Sequence, residues 1–136
     1  MRYRYYEADW QKLPAFDAFE PEAEGVVPSI SLDPGKRVEY FGLLFDGFIE
    51  VPTDGIYKFF LVSDDGSRLW IGDTLVVDND GLHGAELAEG RIALAAGKHA
   101  IRVGYFQRTG GAEIEAGYSG PGLEKQSISE EVLSYN

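Results

Sequence analysis

The strongest pattern along the chain begins at Tyr40, where YFGLLFDGFIEV, a polar interruption PTDG, and IYKFFLVS follow one another. Both apolar runs are dense in aromatic and β-branched residues and the interruption has the composition of a tight turn, so the stretch predicts a long β-hairpin. Residues 68–71 and 74–78 predict a second hairpin around Gly72-Asp73, a two-residue loop whose leading glycine suits a type II′ turn. A third is predicted from residues 90–94 and 99–107 around AAGK, with residues 112–119 following across Gly110-Gly111.

The flanks are less regular. RYRYYE mixes large aromatics with charges and reads as a strand, whereas DWQKLPAFDAF has no helical period and reads as irregular or one-turn structure. Residues 20–24 form an acidic connector, residues 26–32 a short strand ended by Asp33-Pro34-Gly35, and SGPGLEKQSISEEVL a turn with a short closing element. At least eight short strands without an internal repeat predict an all-β fold, an antiparallel β-sandwich or closed barrel, with residues 1–136 as one domain.

Composition narrows the partners. A chain of 136 residues with 44% hydrophobic residues has room for one core and not for two. The formal charge of -11 repels phosphate backbones and anionic lipid, and Arg2 with Arg4 is only a pair, so neither nucleic acid nor a membrane surface is an expected partner. No run approaches the roughly 18 apolar residues of a membrane span, and the start MRYRYY lacks a signal-peptide core, which suggests a mature or excised piece. The lack of cysteine excludes disulfide and cysteine-rich zinc schemes and leaves the compartment open.

The candidate chemistry lies in SDDGSRLWIGDTLVVDNDGLHG. A two-residue loop at Gly72-Asp73 sets Ile71 against Thr74, Trp70 against Leu75, Leu69 against Val76, Arg68 against Val77 and Ser67 against Asp78, and brings Asp65 towards Asp80. Two acidic stretches then meet at the open end of one hairpin, which calls for a cation, hydrogen-bond donors or full solvation. Calcium suits such oxygen-rich loops, with Asp64 and Asp65 as ligands. The plainer reading is that aspartate, asparagine and glycine here only shape turns through local backbone bonds. The residues leave both open. An EF-hand is excluded, because aligning Gly81 with its loop glycine puts Val76 at position 1 and Leu87 at position 12. Zinc is poorly served by His83 and His99, the only histidines, and no nucleophile elbow or similar context supports catalysis.

Trp10, Trp70, Tyr105 and Phe106 are candidate aromatic platforms for a sugar, though an aromatic in a strand is more often core. Alternation puts Leu69 and Ile71 on one face and Trp70 on the other, and sets Ile101, Val103 and Tyr105 opposite Arg102 and Gly104.

The acidic run, preceded by FDGFIEVPTDGIYKFFLV and followed by GRIALAAGKHAIRVGYFQRTGGAEIEAGYSGPG, resembles the protective-antigen fourteen-kilodalton domain family. YYEADWQKLPAF and SGPGLEKQSI fit the same pattern, so the resemblance covers nearly the whole chain. It implies a barrel-like, lectin-like β-sandwich that serves as a non-catalytic carbohydrate-binding accessory module of secreted or cell-surface glycoside hydrolases, toxins and adhesins. In lectin members two consecutive aspartates joined by a cis peptide hold a calcium ion that ligates sugar hydroxyls, assisted by an asparagine from a later loop. Asp64-Asp65 match the pair, and Gln107 stands where those members carry asparagine. The resemblance thus implies Asp64, Asp65 and Gln107 as metal ligands, with Asp78, Asn79, Asp80 and His83 shaping the rim of the glycan site. The DNDGLHG form resembles domains attached to hexosaminidase-like and β-glucosidase-like enzymes, which implies an extracellular, periplasmic or cell-surface setting and a neighbouring catalytic domain. The alternative is a structural module that packs on such a neighbour and shapes access to it, with no sugar or calcium of its own.

Overall fold

The computed structural model describes every residue, Met1–Asn136. Eleven strands alternate with turns: β1 (Arg2–Glu7), β2 (Ala23–Val26), β3 (Phe41–Val51), β4 (Gly55–Asp64), β5 (Ser67–Ile71), β6 (Thr74–Asn79), β7 (Glu86–Leu94), β8 (Gly97–Gln107), β9 (Glu113–Gly120), β10 (Leu123–Ser127) and β11 (Leu133–Ser134). Two single-turn 3-10 segments, Phe16–Ala18 and Glu130–Val132, are the only helical structure, and no helix is long and apolar enough to cross a membrane. The short strand expected at residues 26–32 is instead β2, pushed back to Ala23–Val26, where its backbone pairs with β1 from Arg2 to Tyr5.

The strands form two antiparallel sheets, one ordered β2-β1-β3-β8-β5-β6 with β11 also on β3, the other β10-β9-β4-β7. Their facing sides share one core in which Tyr5, Phe45, Tyr57, Phe59, Leu69, Val103 and Tyr105 are fully buried. This is the predicted β-sandwich.

Two of the predicted hairpins are not hairpins. β3 pairs with β1, β8 and β11, while β4 pairs with β7 and β9, so the chain crosses between sheets at residues 52–54. β7 and β8 likewise sit in opposite sheets, as do β8 and β9. The arches stack, β3 on β8 and β4 on β7, and their corners are tied where the Ala96 N–H donates to Asp54 Oδ1 at 2.8 Å. The Tyr57 hydroxyl braces the first corner by donating to the Thr53 carbonyl at 2.6 Å. An apolar face pointing at the core has the same period whether the next strand lies beside it or across from it. Pattern alone therefore could not separate hairpin from arch.

The β5–β6 hairpin at Gly72-Asp73 is real, but its register shifts. Ile71 pairs with Thr74 and Trp70 with Leu75; a bulge then takes up Val76, so Leu69 pairs with Val77, Arg68 with Asp78 and Ser67 with Asn79. The bulge serves the junction of the two sheets: the Val76 carbonyl presses so closely on β7 that a Cβ on Gly90 would stand 1.8 Å from it. Extra residues of this kind increase local twist at sheet edges. Here the edge of one sheet turns against the edge of the other, which gives the sandwich its barrel-like closure on this side.

Candidate functional site

β4 ends at Asp64 and β5 begins at Ser67, so Asp65 and Gly66 carry the chain from one sheet to the other. Asp64 and Asp65 are joined by a cis peptide bond. Asp65 is 6% exposed; its Oδ1 accepts the backbone N–H of His83 at 3.3 Å and its Oδ2 that of Arg108 at 2.8 Å. One carboxylate thus ties the loop after β6 to the loop after β8. The Asp64 carbonyl accepts the Tyr105 hydroxyl at 2.5 Å. Its carboxylate has no such anchor. It sits beside Gly111, on the strand end whose register partner is Glu113. Burial and then the Asp65 carboxylate push the Asp64 pKa up, His83 pulls it down, and Glu113 adds a smaller upward push. The result is a carboxylate set among other carboxylates.

Gly66 makes this meeting possible. A Cβ there would stand 2.5 Å from the Phe106 ring, 2.7 Å from the Gly81 nitrogen and 2.8 Å from Asp80 Oδ1. Only a residue without a side chain lets the β4–β5 crossing lie against the 79–84 loop. The two acidic stretches therefore do come together, through Asp65 and the His83 backbone.

Gln107, at the end of β8, is fully buried. Its Nε2 donates to the Gly110 carbonyl at 2.9 Å and to the Val38 carbonyl at 3.3 Å, while its Oε1 is buried with no partner. A buried acceptor left unsatisfied costs about 1–3 kcal/mol, which favours anything that supplies a donor or a cation.

The remaining candidates are committed to structure. Because of the bulge, Asp78 faces Arg68 and is held by it at 2.9 and 3.3 Å. Asn79 turns inward, donating from Nδ2 to the carbonyls of Glu86 at 2.9 Å and Leu61 at 3.4 Å and to the Ser63 hydroxyl at 3.3 Å. The expectation that Asn79 shapes an open rim is corrected on this point, since the register that puts it opposite Ser67 points its amide between the sheets, whereas Asp78 stays exposed. Asp80 Oδ1 accepts the Leu13 and Gly81 N–H groups, each at 2.8 Å, and so pins residues 9–15 to the site. His83 lies at the site, with Nδ1 2.7 Å from the Gly84 carbonyl and Nε2 2.7 Å from the Asn79 carbonyl. Desolvation opposes its charge, but those two carbonyls, with Glu86 and Asp65, outweigh it and raise its pKa.

Several participants had no sequence signal. Tyr105, by sequence a candidate sugar platform, instead braces Asp64 from the core, Arg108 contributes its backbone N–H, and Glu113 arrives by β4–β9 register. Ser63 and Ser67, 2.6 Å apart between hydroxyls, clamp the two ends of the DDG crossing; their symmetric placement around it was the one visible clue. Phe106 is buried too, Trp10 packs edge-on against Phe16 at 5.7 Å, and Trp70 is half-buried on the outer face of the first sheet.

The donors at this end are all oxygen: two carboxylates and an unpartnered amide. Such a set suits a hard divalent cation. No three His, Cys, Asp or Glu side chains converge to hold a metal, so its charge count is low.

The PA14 domain family matches residues 2–131. The chain belongs to this family. The anti-sigma-I factor RsgI3 of Acetivibrio thermocellus is 29% identical over 89 residues, which is 65% of this chain and 14% of that protein. An anti-sigma factor domain-containing protein from Clostridium clariflavum superposes on the PA14 fold with a TM-score of 0.80 at 24% identity, covering 99% of this chain and 47% of that one. The PA14 sugar-binding domain from an RTX adhesin superposes with a TM-score of 0.81 at 18% identity, covering 99% and 97%. At these identities the structural likeness shows the fold, and the chain spans less than half the length of the two anti-sigma proteins.

Proposed function

We propose that this PA14 domain is a non-catalytic carbohydrate-binding module whose site is built on Asp64 and Asp65, with calcium as the bridging ion. The observation that carries the reading is the contrast between the two carboxylates: Asp65 is fixed by two backbone N–H donors, whereas Asp64 presents a carboxylate with no partner. Gln107 adds a buried side-chain oxygen without a donor. Calcium bound there would offer coordination positions to vicinal sugar hydroxyls. The protein's own part is to hold the carboxylates, through the His83 and Arg108 N–H groups, and to line the approach with the loops at residues 79–84 and 107–111. A charge of -11 agrees with cation uptake and with neutral sugars. The sugar-binding domain of the adhesin supports the ligand class. It also supports an extracellular or cell-surface setting.

The parent is part of the proposal. The likeness to anti-sigma proteins adds a sensing protein to the glycoside hydrolases and adhesins implied by the sequence; in each, the domain would recruit glycan for a neighbouring domain of a longer chain.

A second reading keeps the domain as a packing module, favoured by Ile56 and Leu87, 59% and 49% exposed on the outward side of β4 and β7. Calcium titration by calorimetry, followed by a glycan array with and without chelator, separates the two. The first reading expects calcium heat, chelator-sensitive glycan signal, and loss of both in Asp65→Ala. A silent titration together with a blank array would leave only the packing role.

A further inference from the structure

The outer face of the first sheet carries an open trough that the Asp64-Asp65 site does not use. Register lines up Asp46 of β3, Arg102 of β8 and Trp70 of β5 side by side, with Phe48 and Ala100 paired in the next row. Tyr135 closes one end, and Trp70 with Asp73 the other, around a cavity of about 660 Å³. That size falls within the range of small-ligand sites. Arg102 lies five residues before Gln107 on β8, so the trough stands roughly 16 Å from the aspartate site along the strand.

We infer that this trough is a second, calcium-independent subsite for a neutral oligosaccharide, with Trp70, Phe48 and Tyr135 as platforms for its rings. A pyranose has apolar C–H faces and a polar edge of hydroxyls, and the trough offers both kinds of contact in fixed places. Aromatic side chains stand at the ends, and the small Ala100 leaves the floor open between them. The floor also holds an ion pair set before any ligand arrives: Arg102 donates from Nε to Asp46 at 2.7 Å, from one terminal nitrogen to the other Asp46 oxygen at 3.3 Å, and from the second to Asp17 at 3.1 Å. Arg2 stacks 5.7 Å over the Tyr135 ring and steadies that wall. Groups already locked in place bind hydroxyls with less ordering cost. From Tyr135 beside β3 to Trp70 on β5 is three strand spacings, roughly 14 Å, enough for two to three linked rings.

The same features weigh against other occupants. An apolar helix would seal the Asp46–Arg102 pair from water without offering it a hydrogen bond, which is costly. An extended peptide needs an open strand edge, and this floor is the face of fully paired strands. A phosphate polymer would meet Asp46, Asp73 and a strongly negative chain.

The test is native affinity electrophoresis of the 136-residue chain through gels containing soluble xylan, mixed-linkage β-glucan or galactomannan, all in EDTA. At least one polysaccharide is expected to retard the chain, and Trp70→Ala to weaken that retention tenfold or more. Tyr135→Ala and Trp70→Phe, checked for intact folding by thermal melts, should give smaller losses and guard against a misfolded Trp70→Ala. Because the chain has only two tryptophans, Trp10→Phe leaves Trp70 as the sole indole reporter, and its emission should shift as oligosaccharide from the retarding polymer is added. Absence of retardation by all three polymers in EDTA overturns the inference, as does retention unchanged in the folded Trp70 and Tyr135 variants. Because every arm contains chelator, failure of calcium-dependent binding at Asp64-Asp65 leaves this outcome untouched.

Discussion

Asp64 and Asp65 are chemically identical neighbours in opposite situations. Asp65 accepts two backbone N–H groups and so organises two loops, while Asp64 is pushed above its ordinary value of 3.8 by burial first and by Asp65 next. A carboxyl raised in the folded state contributes stability that is full below its unfolded value and is lost as pH rises through its folded value. At neutral pH in calcium-free buffer, Asp64→Asn should therefore stabilise the fold by roughly 0.5 kcal/mol, a modest figure because the group is partly solvated and screened. Paired thermal melts in EDTA check this, and a destabilised Asn variant would show that Asp64 already has a protein partner. The same substitution should remove calcium binding. Calcium affinity of the unaltered chain should fall as pH drops from about 8 to about 5, because protons compete for the raised Asp64 and the raised His83 gains a positive charge beside the pair. Calorimetry at the two pH values reads it directly.

Between elements, what matters is how closely backbones approach. Gly66 lets the β4–β5 crossing lie on the 79–84 loop, so Gly66→Ala should cost about 1–3 kcal/mol by overpacking against Phe106 and Asp80, with calcium binding weakened as the loop is displaced. Urea denaturation measures the first effect and calorimetry the second; an unchanged midpoint would mean that the loop yields freely. The β5–β6 turn was readable because two residues between strands leave few turn types. The bulge at Val76 was not, since it answers to pressure from β7, which lies in the other sheet. One unforeseen residue moved Asp78 onto Arg68 and Asn79 into the interior. The arches were hidden for a related reason: local pattern tells a strand which side is wet, and not which strand sits beside it.

Across the whole molecule, the charge of -11 draws cations in, but the low charge of the oxygen site itself predicts weak calcium binding, with a dissociation constant on the order of 10⁻⁴–10⁻³ M, as in extracellular modules. At about 10 mM calcium that affinity adds roughly 1.4–2.7 kcal/mol to folding by mass action, so the melting temperature should rise by several degrees relative to EDTA. Magnesium, which needs a tighter octahedron, should shift it less. Scanning calorimetry in the three buffers decides, and equal melts would argue against an ion at this site. The sequence by itself determined the all-β class, the inward faces of β5 and β8, the Gly72-Asp73 turn and the Asp64-Asp65 pair, because each depends on residues within a few positions of one another. Tertiary structure alone decided that β3 and β4 stand in opposite sheets, that Asn79 is buried while Asp64 is left without a partner, and that Trp70 faces a trough shared with Tyr135. Those outcomes follow from contacts between segments far apart in the chain, whose register is set by packing of the two sheets and leaves no trace in local periodicity.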